Sequence, residues 1–375
     1  MSEINGKRIL LIGGAGFIGH HIAVALNKLG ASVGIVDSLQ VNNLISFMSQ
    51  PSQEFADSEL YLKILNERLD QIRTPDIRMW IQDARDYHAL GAIFNEFKPD
   101  IVLQLAAVAH ANRSNKDPYS TFDHSLRTLE NALDSSRGRV EHFIYFSSSM
   151  VYGHFKNGFV TEESVCEPLG IYGALKYAGE KLVISYGQVF DLPYTIVRPS
   201  ALYGERCVSR RVGQIFIENA MKGVEVAVNG DGSDALDFTY IQDLVHGICR
   251  VIESDRSRGE IFNLTYGESR TMKQMADILS AHFSDITIKY LPKDKLMPER
   301  GTLCVDKARE LLGYNPQFPL EKGFVNYIEW YKQLFEDRNK KTISDKVEVI
   351  GDKRRTMPKA RRKKEAPSIA PVSVP

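Results

Sequence analysis

Seven short apolar runs punctuate the chain, each bounded by glycine or polar residues, with helix-like spacing between most of them. Arg8–Ile12 enters a glycine cluster, and Ala31–Val36 stops at Asp37. Arg78–Ile81, Ile101–Leu105, His142–Phe146, Thr195–Val197 and Glu260–Leu264 continue the series. Unbroken apolar runs of this length predict parallel strands buried on both faces. With helices between them they predict an α/β fold: a doubly wound parallel sheet of the Rossmann type. No internal repeat is visible.

Two stretches depart from that rhythm. Asn43–Asp76 is long for one connection, but Leu60, Ile64, Leu65, Leu69 and Ile72 recur at helical spacing and predict an added helix over Glu59–Arg73. After Tyr203 the segments become mixed, and a glycine-rich turn appears at Asn229–Ser233. The expected organisation is a dinucleotide domain over residues 1–203, joined again by 237–264. A smaller substrate-binding lobe follows over 204–340, ending in an aromatic-rich helix over Leu311–Phe335. Beyond it the apolar pattern stops, and 341–375 reads as a basic, disordered tail whose deletion should leave catalysis intact.

Composition sharpens this division. The 375 residues carry 47 basic and 47 acidic side chains. Residues 341–375 alone hold ten Lys/Arg against four Asp/Glu, so the neutral total is an acidic body plus a basic tail. Such a body argues against a nucleic-acid partner. The apolar run around Ile101–Ala109 is too short to span a membrane, and the start of the chain lacks a signal-peptide pattern. Four cysteines without a CxxC pair fit a reducing compartment, and no His/Asp/Glu spacing suggests a metal. The expectation is a cytoplasmic protein.

Candidate chemistry begins at the first turn. Gly13, Gly16 and Gly19, in GGAGFIG, follow the first strand and open a helix. That context suits a pyrophosphate lying on a helix N-terminus, with Phe17 and Ile18 in the same turn. Asp37 closes the second strand, where a carboxylate accepts both ribose hydroxyls and repels a 2′-phosphate. The next basic residue is Lys63, so NAD is favoured over NADP. Asp83, with Ala84 beside it, can meet the adenine amino group or cap a helix. Leu105, Ala106 and Ala107 leave room for the cofactor. His20 and His21 read as surface or packing residues.

Tyr172 and Lys176 share a helix face at i and i+4. An ammonium and a cationic nicotinamide would lower the phenol's pKa toward neutrality, fitting it to take a proton from a sugar hydroxyl. The preceding strand ends in Ser147-Ser148-Ser149, at the sheet edge where doubly wound folds place their sites.

With these motifs the sequence resembles the extended short-chain dehydrogenase/reductases, in the NAD-dependent epimerase/dehydratase group. The resemblance covers about residues 7–335. It rests on GGAGFIG, Asp37, Asp83, LAA at 105–107, SSSMVYG at 147–153, YGALK at 172–176, RPSALYG at 198–204, DFTYIQDL at 237–244 and RGTLCVDKARELLGYNP at 300–316. It implies Tyr172 as catalytic base, Lys176 on the nicotinamide ribose, and Ser148, four residues before Tyr152, as catalytic serine. It places Pro199 beside the nicotinamide. It further implies a nucleotide-diphosphate sugar as substrate and a homodimer built on helices over Thr121–Ser135 and Tyr172–Phe190.

Departures qualify the resemblance. Sugar-nucleotide dehydratases of the group carry Asp-Glu after the catalytic residue; here Ser149 and Met150 stand there. Two family diphosphate contacts are replaced by Ala201 and Leu236. Arg206, Arg210, Arg211 and Arg300 are candidate replacements, with Arg300 nearest a family phosphate-binding position. For Arg300 a surface charge, and for Arg210 and Arg211 a solvated helix face, stay open. His110, Asn112, Arg113 and Ser149 are candidate sugar contacts. The expected activity is epimerisation of a nucleotide-activated sugar at C4 through a keto intermediate. A dehydrogenase releasing the keto sugar and a silent NAD-binding scaffold are the alternatives.

Overall fold

Each of the seven apolar runs becomes a strand. They are β1 (Arg8–Ile12), β2 (Ser32–Asp37), β3 (Ile77–Ile81), β4 (Ile101–Gln104), β5 (His142–Phe146), β6 (Tyr194–Arg198) and β7 (Glu260–Asn263). The computed structural model describes residues 3–41, 43–45, 58–74, 76–108, 111–292 and 298–336. Among them, the strands form one parallel sheet in the order β7-β6-β5-β4-β1-β2-β3. All residues of β4 and β5 are buried, as the unbroken apolar runs required. The chain winds outward from β1 through β3, then crosses back to β4. The reversal opens a crevice between the carboxyl ends of β1 and β4, which is where this topology puts its ligand.

Two helices decide what faces that crevice. Helix α1 (Phe17–Lys28) follows β1 directly, with Gly16 at its N-cap. Helix α2 (Ser58–Ile72) is the element expected over Glu59–Arg73, and it packs against α1. Its buried face carries Leu60, Tyr61, Ile64, Leu65, Leu69 and Ile72, and also Arg68, a cation within an apolar stripe.

The helix expected over Thr121–Ser135 is present within a longer helical run that carries a π-bulge. Asp117 caps its start, Pro118–Phe122, which widens into a π-turn at Asp123–Arg127 and continues as α3 (Thr128–Ser136). The single helix expected over Leu311–Phe335 is broken. Asp306–Leu312 ends at Gly313, whose φ of 64° gives a left-handed cap, and Pro316 and Pro319 follow. Helix resumes at Leu320.

Later segments return to the sheet's carboxyl edge through Asp237. Its carboxylate accepts from Thr265 Oγ1 (2.9 Å), the Gly267 amide (3.2 Å) and the Leu303 amide (3.1 Å). Burial pushes it up to about 6 against those bonds. Thr302–Leu303 also pairs in parallel with Phe159–Val160. By its contacts the chain divides into Met1–Glu329 and Trp330–Pro375; the described residues of the second unit, through 336, are helical.

Candidate active site

The crevice is a cavity whose wall includes Gly13, Gly16, Phe17, Ile18, Gly19, Asp37, Asp83, Ala84, Leu105, Ala106 and Ala107. These are eleven of the cofactor positions expected from sequence. Gly13 has φ +83°, and a Cβ there would meet Ala106 N at 2.6 Å, so glycine lets the loop after β1 close on the segment after β4. A Cβ at Gly19 would meet Gly14 Cα at 2.5 Å, so that glycine seats α1 on its own loop. The free amides at the start of α1 thereby face the cavity, as a pyrophosphate requires.

Asp37 accepts from the Ala15 amide (3.0 Å) and the Leu39 amide (2.8 Å). Burial raises its pKa, while these amides and the charge of Arg68 oppose the rise. Asp83 does not cap the following helix; Asp86 does, accepting from the Ala89 amide at 3.0 Å. Asp83 instead lies on the cavity wall, ion-paired to Arg85 at 2.6 Å.

The cavity also includes residues that the sequence reading missed: Gln82, Arg68, His124, Thr128 and Ser209. Arg68 puts a cation on the cavity wall that the sequence order, with Lys63 as the next basic residue after Asp37, did not point to. It is 31 positions from Asp37, and α2 carries it back into the wall. Its position on an apolar stripe was the available signal. His124 belongs to the π-turn, a feature that local spacing cannot distinguish from α-helix.

The catalytic candidates gather at the serine turn; of the expected cofactor positions, Tyr172, Lys176 and Pro199 do not line this cavity. Helix α4 (Gly170–Phe190) starts with its Ile171 amide donating to Asn115 Oδ1 at 3.1 Å. Gly173, next to Tyr172, packs on the serine turn; a Cβ there would meet Met150 O at 2.8 Å. The close approach brings Tyr172 into hydrogen-bonding contact with Ser148. Ser148 also caps the short turn Ser149–Tyr152, accepting from the Met150 amide at 3.2 Å. Lys176 Nζ donates to Phe146 O at 2.6 Å and lies 5.2 Å from the Tyr145 ring centre. Burial brings the lysine down to about 8, with Glu180 opposing.

The tyrosine's electrostatics differ from the sequence expectation. Burial raises the Tyr172 pKa, and the group pulling it down first is Arg211, followed by the bond to Ser148. Arg211 is therefore no solvated helix-face charge. It stands at the N-cap of Val212–Met221, lines the cofactor cavity, and its buried Nε has no hydrogen-bond partner among the described residues. Arg210 is exposed. Arg206 turns inward, pairing with Glu67 at 3.1 Å.

Arg300 is placed at the serine turn. Its Nη2 donates to Ser149 Oγ (2.5 Å) and Ser200 Oγ (3.4 Å), and its Nη1 to Met150 Sδ (2.8 Å). Pro199 O accepts from the Ser149 amide at 3.0 Å, joining that segment to the same turn. Ser147 faces the other way, donating to Glu180 Oε1 at 2.5 Å. Glu180 in turn is paired with Arg198 at 2.7 Å, both buried. His110 and the side chains of Asn112 and Arg113 lie outside the described residues. No cluster able to hold a metal ion occurs among the described residues.

The site residues fit a dinucleotide: a glycine cradle with no room for a Cβ at Gly13 or Gly19, helix amides, a ribose-type carboxylate, and buried Arg68 and Arg211 nitrogens lacking partners among the described residues. Comparison with known proteins agrees. Residues 9–265 match the NAD dependent epimerase/dehydratase family. An uncharacterised UDP-glucose epimerase of Bacillus subtilis is 28% identical over 350 residues, covering 88% of this chain and 99% of its own. Human dTDP-D-glucose 4,6-dehydratase is 26% identical over 341 residues, covering 88% of this chain and 91% of its own. The crystal structure of Bacillus cereus UDP-glucuronic acid 4-epimerase with UDP-glucuronic acid and NAD matches with a TM-score of 0.77. It is 25% identical, covering 87% of this chain and 99% of that one.

Proposed function

This chain belongs to the NAD-dependent epimerase/dehydratase family, and from that premise we propose that it epimerises a nucleotide-diphosphate sugar at C4. The observation carrying this reading is the meeting of Ser148 and Tyr172 beside the dinucleotide cavity, with Arg211 facing both the tyrosine and the cavity.

Bound NAD supplies reversible hydride acceptance. Tyr172 takes the proton of the sugar hydroxyl, and must be a phenolate to do so. Burial opposes that state; Arg211 and Ser148 favour it. Ser148 holds the reacting oxygen as hydroxyl and then as carbonyl. Lys176, fixed on Phe146 O, keeps a positive charge next to the ribose position. The keto sugar turns within the pocket, and Tyr172 returns the proton once the opposite face is presented.

Dehydration fits less well. An acid is needed after Ser148, whereas Ser149 and Met150 stand there and both accept from Arg300. The division into a dinucleotide domain (1–203, with 237–264) and a substrate lobe (204–340) belongs to the same reading. So does homodimerisation through the helices over Thr121–Ser135 and Tyr172–Phe190; Val189 and Phe190 at the end of α4 are exposed. No described helix is long and apolar enough to cross a membrane, and the site of action proposed is the cytoplasm.

The test is incubation with a panel of UDP-, dTDP- and GDP-sugars, following product by NMR and the NADH absorbance band. A C4 epimer without net NADH is the expected result. A released keto sugar with stoichiometric NADH would make the protein a dehydrogenase. Tyr172→Phe should lose at least about a hundredfold in kcat while retaining NAD; wild-type turnover in that variant removes the assignment.

A further inference from the structure

Arg68 is fully buried, yet among the described residues no carboxylate forms an ion pair with it. Its Nη1 donates to Ala15 O at 3.4 Å and its Nη2 to Arg206 O at 2.5 Å. Its buried Nε has no hydrogen-bond partner among the described residues. Asp37 is close enough to favour its charge, but that carboxylate is already held by two backbone amides. Burial, working against this modest compensation, brings the guanidinium down to about 10. A buried cation held only by carbonyls is costly unless an anion reaches it. Its side chain forms part of the wall of the cofactor cavity, with Gly13, Gly16 and Asp37.

The same guanidinium bridges two segments. Ala15 belongs to the glycine loop, and Arg206 begins the strap that carries Ser209 and Arg211 into the cavity wall. Neighbouring side chains fasten the strap further. His21 Nε2 donates to Glu205 O at 3.1 Å. Arg206 Nε donates to His20 Nε2 at 3.0 Å, which leaves the His20 proton on Nδ1, donated to Gly16 O at 3.0 Å. Glycine loop and strap are thus joined through side chains that all converge behind the pyrophosphate position.

We propose that Arg68 is a cofactor-binding residue, a buried charge partner for the pyrophosphate of the dinucleotide. It couples phosphate occupancy to the seating of the Glu205–Arg211 strap. The chemistry is that of a guanidinium and a phosphate in a dry wall, where a charge-assisted bond is strong.

The experiment is calorimetric titration of the full chain, stripped of nucleotide, with adenosine, ADP and NAD. Adenosine carries no phosphate, so it reports the shape of the pocket without the charge. Arg68→Gln should weaken ADP and NAD by at least about tenfold while adenosine changes by less than about threefold. Arg68→Lys, which keeps the charge, should fall between. Equal proportional loss for all three ligands would mean a clamp without phosphate recognition, and unchanged NAD affinity would mean no role; either overturns the proposal. If circular dichroism shows that neither variant folds, Arg68 is a structural tie and the proposal likewise fails. No sugar enters these titrations, so their outcome is separable from that of the epimerase reading.

Discussion

Ser147 and Ser148 are adjacent and chemically identical, yet their environments give them different work. Ser147 donates to buried Glu180, which also holds Arg198. Ser148 faces Tyr172. Ser147→Ala should therefore cost about 1–3 kcal/mol of stability, by leaving a buried carboxylate one donor short, and spare kcat. Ser148→Ala should lower kcat about a hundredfold with little change in stability. Urea unfolding and steady-state kinetics on both variants check the pair; a catalytic loss confined to Ser147→Ala would reverse the roles. The sequence offered three serines and could only choose by resemblance. Side-chain direction, set by the end of β5, makes the choice physical.

At the scale of elements, the active site depends on how closely α4 rests on the serine turn. Gly173 is the contact point, and the atom it faces is backbone, Met150 O, which cannot rotate away. Gly173→Val should push Tyr172 off Ser148 and lower kcat by at least about tenfold, because a shift near 1 Å is enough to cost that much. NAD affinity should fall far less than kcat, since the glycine loop lies on other elements and α4 brings only Lys176 to the ribose position. Retained kcat, measured beside NAD titration, would show that the helix can back away without penalty. The i, i+4 spacing of Tyr172 and Lys176 was legible in the sequence; the reason for glycine between them was not, because it lies 23 residues upstream. The same holds for α2, whose helical period was legible while the cavity-facing direction of Arg68 was not.

At the scale of the whole molecule, buried histidines set the response to acid. His142, hydrogen-bonded to Thr195 Oγ1 at 2.7 Å, and His21 are both held down at about 3 by burial. In the unfolded chain they titrate near 6.5. Between about pH 6.5 and 4 the unfolded state binds the extra protons, so stability falls as pH falls, by up to about 1.4 kcal/mol per unit for each histidine. Asp237, pushed up to about 6, acts in the opposite sense below that pH, because its folded form takes the proton first. His20, wholly buried, is also held well below its ordinary value and adds to the histidine side, so the urea midpoint should decline with acid. His142→Gln should flatten that decline; an unchanged slope would mean the imidazole is protonated in the fold.

What the sequence determined is what local spacing can encode. Apolar runs set seven strands, their two-sided burial set the parallel sheet, and the strand–glycine–helix junction set the dinucleotide turn. What only the tertiary structure decided are the encounters between distant segments. Arg68 comes to Asp37, Arg211 to Tyr172, and Arg300 to Ser149. Each depends on where a returning loop or inserted helix lands on the sheet edge. The electrostatics follow the same division, since burial raises the Tyr172 pKa and the first group opposing the rise is a cation 39 positions away.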